Sequence, residues 1–243
     1  MHLGTLINIV SILFGAAMGV ALGHRLPEKI SRTLTDALGL VVLVIGALNL
    51  AALSNSAFVG AVTQPGTLLV VLASLVLGTV VGSLIGIEEK LSHFGTWLQL
   101  KVSKGGDKDK FIEGFVNASL LFTIGPMAVL GSLQDGLGQG FDVLALKSSL
   151  DGLTSIAFAA ALGWGVAFSA IPVGLWQGLL TVIAASAGTL MSDALIASIT
   201  ATGGILLLGT GLRVLQIRMV SVADMLPALI FAPLITLLVA NLL

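Results

Sequence analysis

The sequence predicts an all-helical, polytopic membrane protein with about eight transmembrane helices. Three observations carry that expectation: a scarcity of charge, a series of apolar stretches long enough to span a bilayer, and the segregation of Lys and Arg by loop. Of 243 residues, 9% are charged and 56% hydrophobic, and 30 Gly bring the apolar share to about two thirds, against roughly 45–50% in an ordinary soluble domain. The mean hydropathy is +1.10. The 23 charged residues are too few to coat the core of a soluble fold of this length. A soluble enzyme, a disordered chain and a nucleic-acid binder are therefore excluded, the last also by a net charge of −1. With no Cys, disulfides, thiolate metal sites and cysteine nucleophiles are excluded too.

A bilayer core requires about 20 predominantly apolar residues per helix. Stretches of this kind lie at 4–22, 36–53, 67–85, 115–133, 153–171, 173–190, 197–212 and 225–243. The fifth and sixth are nearly fused, divided only at Ser169-Ala170-Ile171-Pro172, where Pro suits a tight turn or a helix start. A seven-span reading would merge them. No Lys or Arg precedes the first stretch, so it reads as a retained helix rather than a secretory signal. With eight spans and the N-terminus outside, ten of the eleven cationic residues fall on the cytoplasmic side. This distribution predicts a bacterial inner-membrane protein with both termini outside.

Internal similarity predicts the architecture. The first helix ends with Gly15, Gly19 and Gly23 before Leu26-Pro27-Glu28-Lys29-Ile30, and the third with Gly78, Gly82 and Gly86 before Ile87-Glu88-Glu89-Lys90-Leu91. The sixth ends with Ala184 and Gly188 before Leu190-Met191-Ser192-Asp193. After the third, Ile87, Leu91, Phe94 and Leu98 share one helical face with Trp97 beside it, while Glu88, Glu89, Lys101 and Lys104 stay polar. That pattern predicts an amphipathic helix in the membrane interface, the alternative being a solvated linker. Thr123-Ile124-Gly125-Pro126 resembles Leu208-Gly209-Thr210-Gly211, and Lys147-Ser148-Ser149-Leu150-Asp151 resembles Val220-Ser221-Val222-Ala223-Asp224. Helices three to five thus match helices six to eight. Three is odd, so the second copy inserts with opposite topology, an arrangement typical of transporters. The expected organisation is a two-helix partial repeat over 1–66, a first three-helix repeat over 67–171 and a second, inverted one over 172–243.

Small residues four apart let helix backbones approach closely, so the Gly runs are packing faces, within the chain or between protomers of a homo-oligomer. Gly125-Pro126 interrupts the fourth helix, since Pro removes a backbone hydrogen bond and kinks the chain, and in lipid the freed carbonyls need new partners. Asn117, Ser119 and Thr123 sit on the preceding turns. Such a kinked, polar-faced helix forms either a substrate wall or a plain packing kink. Gly203-Gly204 and Gly209-Thr210-Gly211 are the expected equivalent break in the seventh helix. Asp151 and Asp224 stand at matching helix ends, where the helix dipole stabilises a carboxylate, and Lys147 can pair with Asp151 four residues on. The functional alternative places Asp151, Thr154 and Ser155 on a water-filled vestibule that binds a cation or an amine, joined by Gln134 and Asp135. Asn8, Asn49 and Gln177 are the larger polar side chains within other spans, suited to hydrogen bonds between helices.

No ionisable residue lies at the centre of any span read this way, which argues against a proton pump, a voltage sensor or a metal-dependent intramembrane protease. No enzyme activity, cofactor or metal is expected, and no phosphate-binding loop is present.

The stretches Phe115-Val116-Asn117-Ala118-Ser119-Leu120-Leu121-Phe122, Ile124-Gly125-Pro126-Met127 through Gly136-Leu137, and Lys147-Ser148-Ser149-Leu150-Asp151-Gly152 resemble the bacterial YdfK/YqgA-type membrane proteins. So do Gln177-Gly178-Leu179-Leu180-Thr181 and Gly203-Gly204-Ile205-Leu206. The resemblance implies a polytopic membrane protein of a family of unknown function and carries over no substrate or catalytic residue. Its motifs coincide with Gly125, Gln134, Asp135, Asp151 and Gln177. Together these readings favour a secondary transporter or channel-like permease for a small solute, neutral or zwitterionic, or for a cation. The site would comprise Asn117, Ser119, Thr123, Gly125, Pro126, Gln134, Asp135, Asp151, Thr154, Ser155 and Gln177. The rival class is a non-transporting scaffold or accessory subunit that oligomerises through its Gly faces.

Overall fold

A computed structural model of the chain describes residues 3–23, 27–102, 108–187 and 192–242. No strand occurs among them. Helix α1 is Leu3–Gly23 and α2 is Glu28–Asn49, extended by a 3-10 turn at Leu50–Ser54. A short α3, Ser56–Val62, leads into α4, Gln64–Ile85. Asn55 caps α3, its Oδ1 accepting the N–H of Ala57 and of Phe58. Then come α5 at Ile87–Val102, α6 at Lys108–Thr123, α7 at Pro126–Gly136 and α8 at Asp142–Leu162. The one-turn α9, Gly165–Phe168, runs into α10 at Ala170–Ala187, followed by α11 at Asp193–Val214. A one-turn α12, Val222–Met225, precedes α13 at Ala228–Ala240.

Among the described residues, seven helical segments are long and apolar enough to cross a membrane: Leu3–Gly23, Arg32–Ser54, Gln64–Ile85, Asp142–Leu162, Gly165–Ala185, Asp193–Val214 and Val222–Ala240. The eighth expected stretch, 115–133, is divided between α6 and α7, which are bent by 61° at the Gly125-Pro126 break. Pro126 carries no N–H, so the Phe122 carbonyl loses its helical donor and the helix stops where the sequence predicts.

Two expectations are corrected. The boundary between the fifth and sixth spans lies at Gly163, not at Pro172. Gly163 takes φ +80° while its N–H closes the last turn of α8 on the Ala159 carbonyl, and a glycine in that conformation ends a helix without side-chain strain. Pro172 falls in the first turn of α10, where a missing N–H costs nothing. The second correction concerns α11, which runs unbroken through Gly203-Gly204 and Gly209-Thr210-Gly211. Those glycines serve close packing instead: Gly204 faces the backbone of Gly46, and Gly211 faces Leu43. Two thirds of the α11 window is buried, the largest share of any span, and α2, α13 and α4 pack around it.

The Gly runs pack within the chain. A methyl group added at Gly15, Gly19 or Gly23 would strike the carbonyl oxygens of Gly152, Ile156 and Ala160 in turn. Both series ascend, so α1 and α8 lie parallel with their backbones in contact. On α4, Gly82 abuts Asp224 and Gly78 abuts Ala228; here the order reverses, and α4 and the segment α12–α13 are antiparallel. Of the third motif, Ala184 is buried, whereas Gly188, Leu190 and Met191 lie outside the described residues, as does Lys104.

These contacts give a direct expectation. Gly82→Val forces α4 away from Asp224, so we expect a loss of about 1–3 kcal/mol or more in stability. Gly178 has no neighbour within 4 Å of an added methyl, so Gly178→Ala should be neutral or gain up to about 1 kcal/mol from helix propensity. Thermal unfolding of the purified variants in detergent measures both, and an unaltered midpoint for Gly82→Val would show that this face is not packed.

Candidate functional site

The close approach of α1 to α8 brings a polar residue of each helix together. Asn8 is wholly buried, and its Nδ2 donates to Asp151 Oδ2 at 3.0 Å and to Gln177 Oε1 of α10 at 3.3 Å. Lys147, one turn before Asp151, pairs with the same carboxylate oxygen. Both charged residues are buried, at 6% and 7% exposure. Higher on α1, the Gly4 N–H donates to Asp135 Oδ2 at 3.2 Å, so the far end of α7 meets the start of α1.

Asp151 is not the helix cap its sequence position suggested. The α8 helix begins at Asp142, which places Asp151 about 14 Å from the start of the helix and about 17 Å from its end at 1.5 Å per residue. An ionisable residue, Asp151, therefore does occupy the middle of a span, with its partner Lys147 about 8 Å from the start of the same helix. Ending α8 at Gly163 rather than Pro172 is what moves Asp151 from the helix end to this depth. Asp224 does cap a helix, though not its own: its Oδ1 accepts the Glu88 N–H in the first turn of α5 at 2.8 Å. Glu88 reciprocates, its Oε2 accepting the Ala223 N–H at 3.0 Å and its Oε1 pairing with Arg213 Nη1. Asp151 and Asp224 thus perform different tasks.

A cavity of about 330 Å³ opens beside the ion pair between α2, α6, α7 and α8. Lys147, Asp151, Thr154, Gly125 and Asn49 line it, with Leu38, Val42, Phe122, Phe158 and Leu207 as apolar walls. Three of the expected site residues, Gly125, Asp151 and Thr154, therefore converge, and the backbone of Pro126 adjoins them at the break. Gln177 joins the network from the far side through Asn8. Ser155 is buried on the α1 side of α8, facing Gly15. Asp135 stands at the start of α1 beside half-buried Gln134. Ser119 and Thr123 do not join: their hydroxyls donate to the carbonyls of Phe115 and Ser119 one turn back. They line a separate, apolar cavity of about 400 Å³ with Ile87, Leu91 and Trp176. Asn117 is fully buried with neither amide atom bonded. Asn8, Lys147 and Asn49 belong to the site, beyond the interhelical hydrogen bonds and the pairing with Asp151 that the sequence predicts for them. The signal for them was present, since large polar groups within apolar runs are rare.

Several further buried polar atoms have no hydrogen-bond partner in the bundle. They include Asn8 Oδ1, Gln177 Nε2, Asn49 Nδ2 and the hydroxyls of Thr5, Ser132, Ser155 and Thr181. Thr5 is on the Asn8 face of α1, Thr181 on the Gln177 face of α10 and Ser132 on the Asp135 face of α7, by helical spacing. Among the described residues, no group of three or more His, Asp or Glu converges as a metal site would require.

The fold and this intramembrane polar site define a polytopic helical membrane protein. The chain matches the family described as "Protein of unknown function (DUF554)" over residues 3–237, and it belongs to that family. It is 32% identical over 239 residues to the "Uncharacterized protein YqgA" of Escherichia coli (strain K12), covering 96% of this chain and 95% of the relative. It is 29% identical over 236 residues to the "Uncharacterized membrane protein YdfK" of Bacillus subtilis (strain 168), covering 96% and 94%. No solved structure matches the chain.

The buried pair makes a testable asymmetry. Removing one partner strands a charge and typically costs about 3–5 kcal/mol, whereas replacing both by apolar groups is close to neutral. Lys147→Met alone should therefore destabilise strongly, and the double variant Lys147→Met/Asp151→Leu should recover most of the loss in a denaturant titration. Equal stability of the single and double variants would show that Asp151 is solvated rather than paired.

Proposed function

We propose that the protein is a secondary transporter or channel-like permease for a small solute, with its binding site at Lys147, Asp151, Thr154 and Gly125. The observation that carries this reading is a buried Lys147–Asp151 pair with Asp151 at mid-length of a span, lining a cavity next to a broken helix. Ionisable groups inside a membrane are expensive and mark ion or solute pathways by default. Discontinuous helices at mid-depth are the usual walls of such sites. The unpartnered atoms along Thr5, Asn8, Ser132, Gln177 and Thr181 supply hydrogen-bonding capacity for a hydrated path from the cavity to the start of α1.

We infer that α6 and α7 cross together as one broken span, giving eight crossings. The parallel packing of α1 and α8 supports this, because three crossings between them restore the original direction and two would reverse it. Asp135 of α7 reaches the start of α1, while Gly114 of α6 packs on Leu162 and Val166, beyond the level of Gly23. With the N-terminus outside, the Lys and Arg count then follows the positive-inside rule of a bacterial inner membrane. The opposed directions of α4 and α10 are those an inverted repeat of helices three to five and six to eight requires. The polar flank and apolar face of α5, on which Ile87 and Leu91 pack toward the core, suit a helix in the interface. A scaffold that oligomerises through its Gly faces loses support, because the runs on α1 and α4 are already covered by α8 and by α12–α13.

Liposomes reconstituted with the purified protein and screened for uptake of amino acids, small polyols and monovalent ions test the reading. Wild-type uptake of at least one solute is expected, with a fall of tenfold or more in Asp151→Asn. Uptake indifferent to that substitution would remove Asp151 from the pathway, and no uptake of any class would favour the non-transporting alternative.

A further inference from the structure

We propose that the 330 Å³ cavity binds a small zwitterion of the α-amino-acid type, its carboxylate on Lys147 and its ammonium on Asp151; the proposal rests on the permease reading of the same site. Both charged side chains line one cavity. They neutralise each other within a single helical turn. Neutrality in a low-dielectric surrounding sets the selection. A simple cation at Asp151 displaces Lys147 and leaves a buried ammonium without a partner. A simple anion at Lys147 strands Asp151 in the same way. A zwitterion replaces one ion pair by two and brings no net charge, so every buried charge keeps a partner.

The lining is suited to each end of such a solute. Asn49 lines the cavity and its Nδ2 has no partner, which leaves it available as a second donor for a carboxylate. Lys147 Nζ lies 5.9 Å from the centre of the Phe122 ring, which gives the ammonium a favourable neighbour when it leaves Asp151. Asn8 approaches Asp151 from α1 and holds the carboxylate in place during the exchange. The other walls are apolar and accommodate a short hydrocarbon side chain: Leu38, Val42, Phe158 and Leu207 lie inside, and Val41, Ile45 and Leu150 stand at the open side on the outer face of the bundle. The volume stands at the lower end of the roughly 300–1,000 Å³ typical of ligand pockets, appropriate to a single amino acid. The depth of Asp151, about 14 Å or more from either end of its helix, separates the site from the level of lipid headgroups.

The test uses the full-length protein. Thermal stabilisation in detergent and uptake into liposomes are measured with glycine, alanine, serine and leucine. Methylamine and acetate serve as single-charge probes and acetamide and glycerol as neutral ones. At least one zwitterion should bind ten or more times more tightly than either single-charge probe. Lys147→Met and Asp151→Asn should each weaken it tenfold or more, and Asn49→Ala several-fold. Lys147→Arg and Asp151→Glu, which keep both charges, should retain part of the binding and guard against misfolded variants; the comparison of probes on the wild type needs no variant at all. Failure of every zwitterion to bind overturns the proposal. If a polyol or an inorganic ion is carried instead, the permease reading survives and the zwitterion does not. If zwitterions bind with the expected charge dependence but are not carried, the site assignment stands and the permease reading falls.

Discussion

The backbone contact between α1 and α8 sets the rest of the structure. Gly15, Gly19 and Gly23 bring the two helices so close that any larger side chain would meet a carbonyl oxygen. Association of helices in lipid relies on such packing, because hydrocarbon tails provide no hydrophobic drive between apolar surfaces. Only at this separation does the short side chain of Asn8 reach Asp151. The same contact fixes α8 in depth and direction, which sets the ion pair well inside the bundle and opens the cavity toward α2 and the α6–α7 break.

A second polar lock works at a different place and for a different purpose. Glu88, Arg213 and Asp224 tie the first turn of α5 to the end of α11 and to the entry of α13. Both partners of the ion pair are hydrogen-bonded elsewhere, and backbone N–H groups at a helix start take up the carboxylates, which is the way buried charge is tolerated. This lock organises the junction below α4, where Gly82 admits the Asp224 backbone. More atoms are left without a partner around Asp151, where Asn8 Oδ1, Gln177 Nε2 and Asn49 Nδ2 are unpaired, than in the lock, where Arg213 Nε is.

Much of this was legible in sequence. The apolar stretches located the spans other than the fifth and sixth, which begin about ten residues earlier, Gly125-Pro126 located the break, and the four-residue spacing of Lys147 and Asp151 predicted their pairing. Local chemistry determines all three. The depth of Asp151 was not legible, because it hinged on which of two plausible helix punctuators, Gly163 or Pro172, ends α8. A proline in a first turn and one at a helix end look alike in sequence. The partners of the Gly runs and the task of Asp224 were hidden for another reason: they depend on contacts between residues more than a hundred positions apart. The likeness of the Lys147–Asp151 and Val220–Asp224 stretches suggested one role for two carboxylates that the fold employs differently. Ser119 and Thr123 were assigned to the site by helical proximity, yet their hydroxyls are consumed by their own helix.

The central claim is that water and small solutes reach the middle of the bundle at the Lys147–Asp151 cavity. The chain contains no Cys, so single cysteines can be introduced without a prior background. Thr154, within the cavity, and Leu153, two thirds exposed on the outer face of α8, are adjacent in sequence and nearly equal in depth. In native membranes, Thr154→Cys should react with a small, membrane-impermeant thiol reagent and Leu153→Cys should not. A Thr154→Cys variant that folds normally and labels no faster than Leu153→Cys would contradict the account.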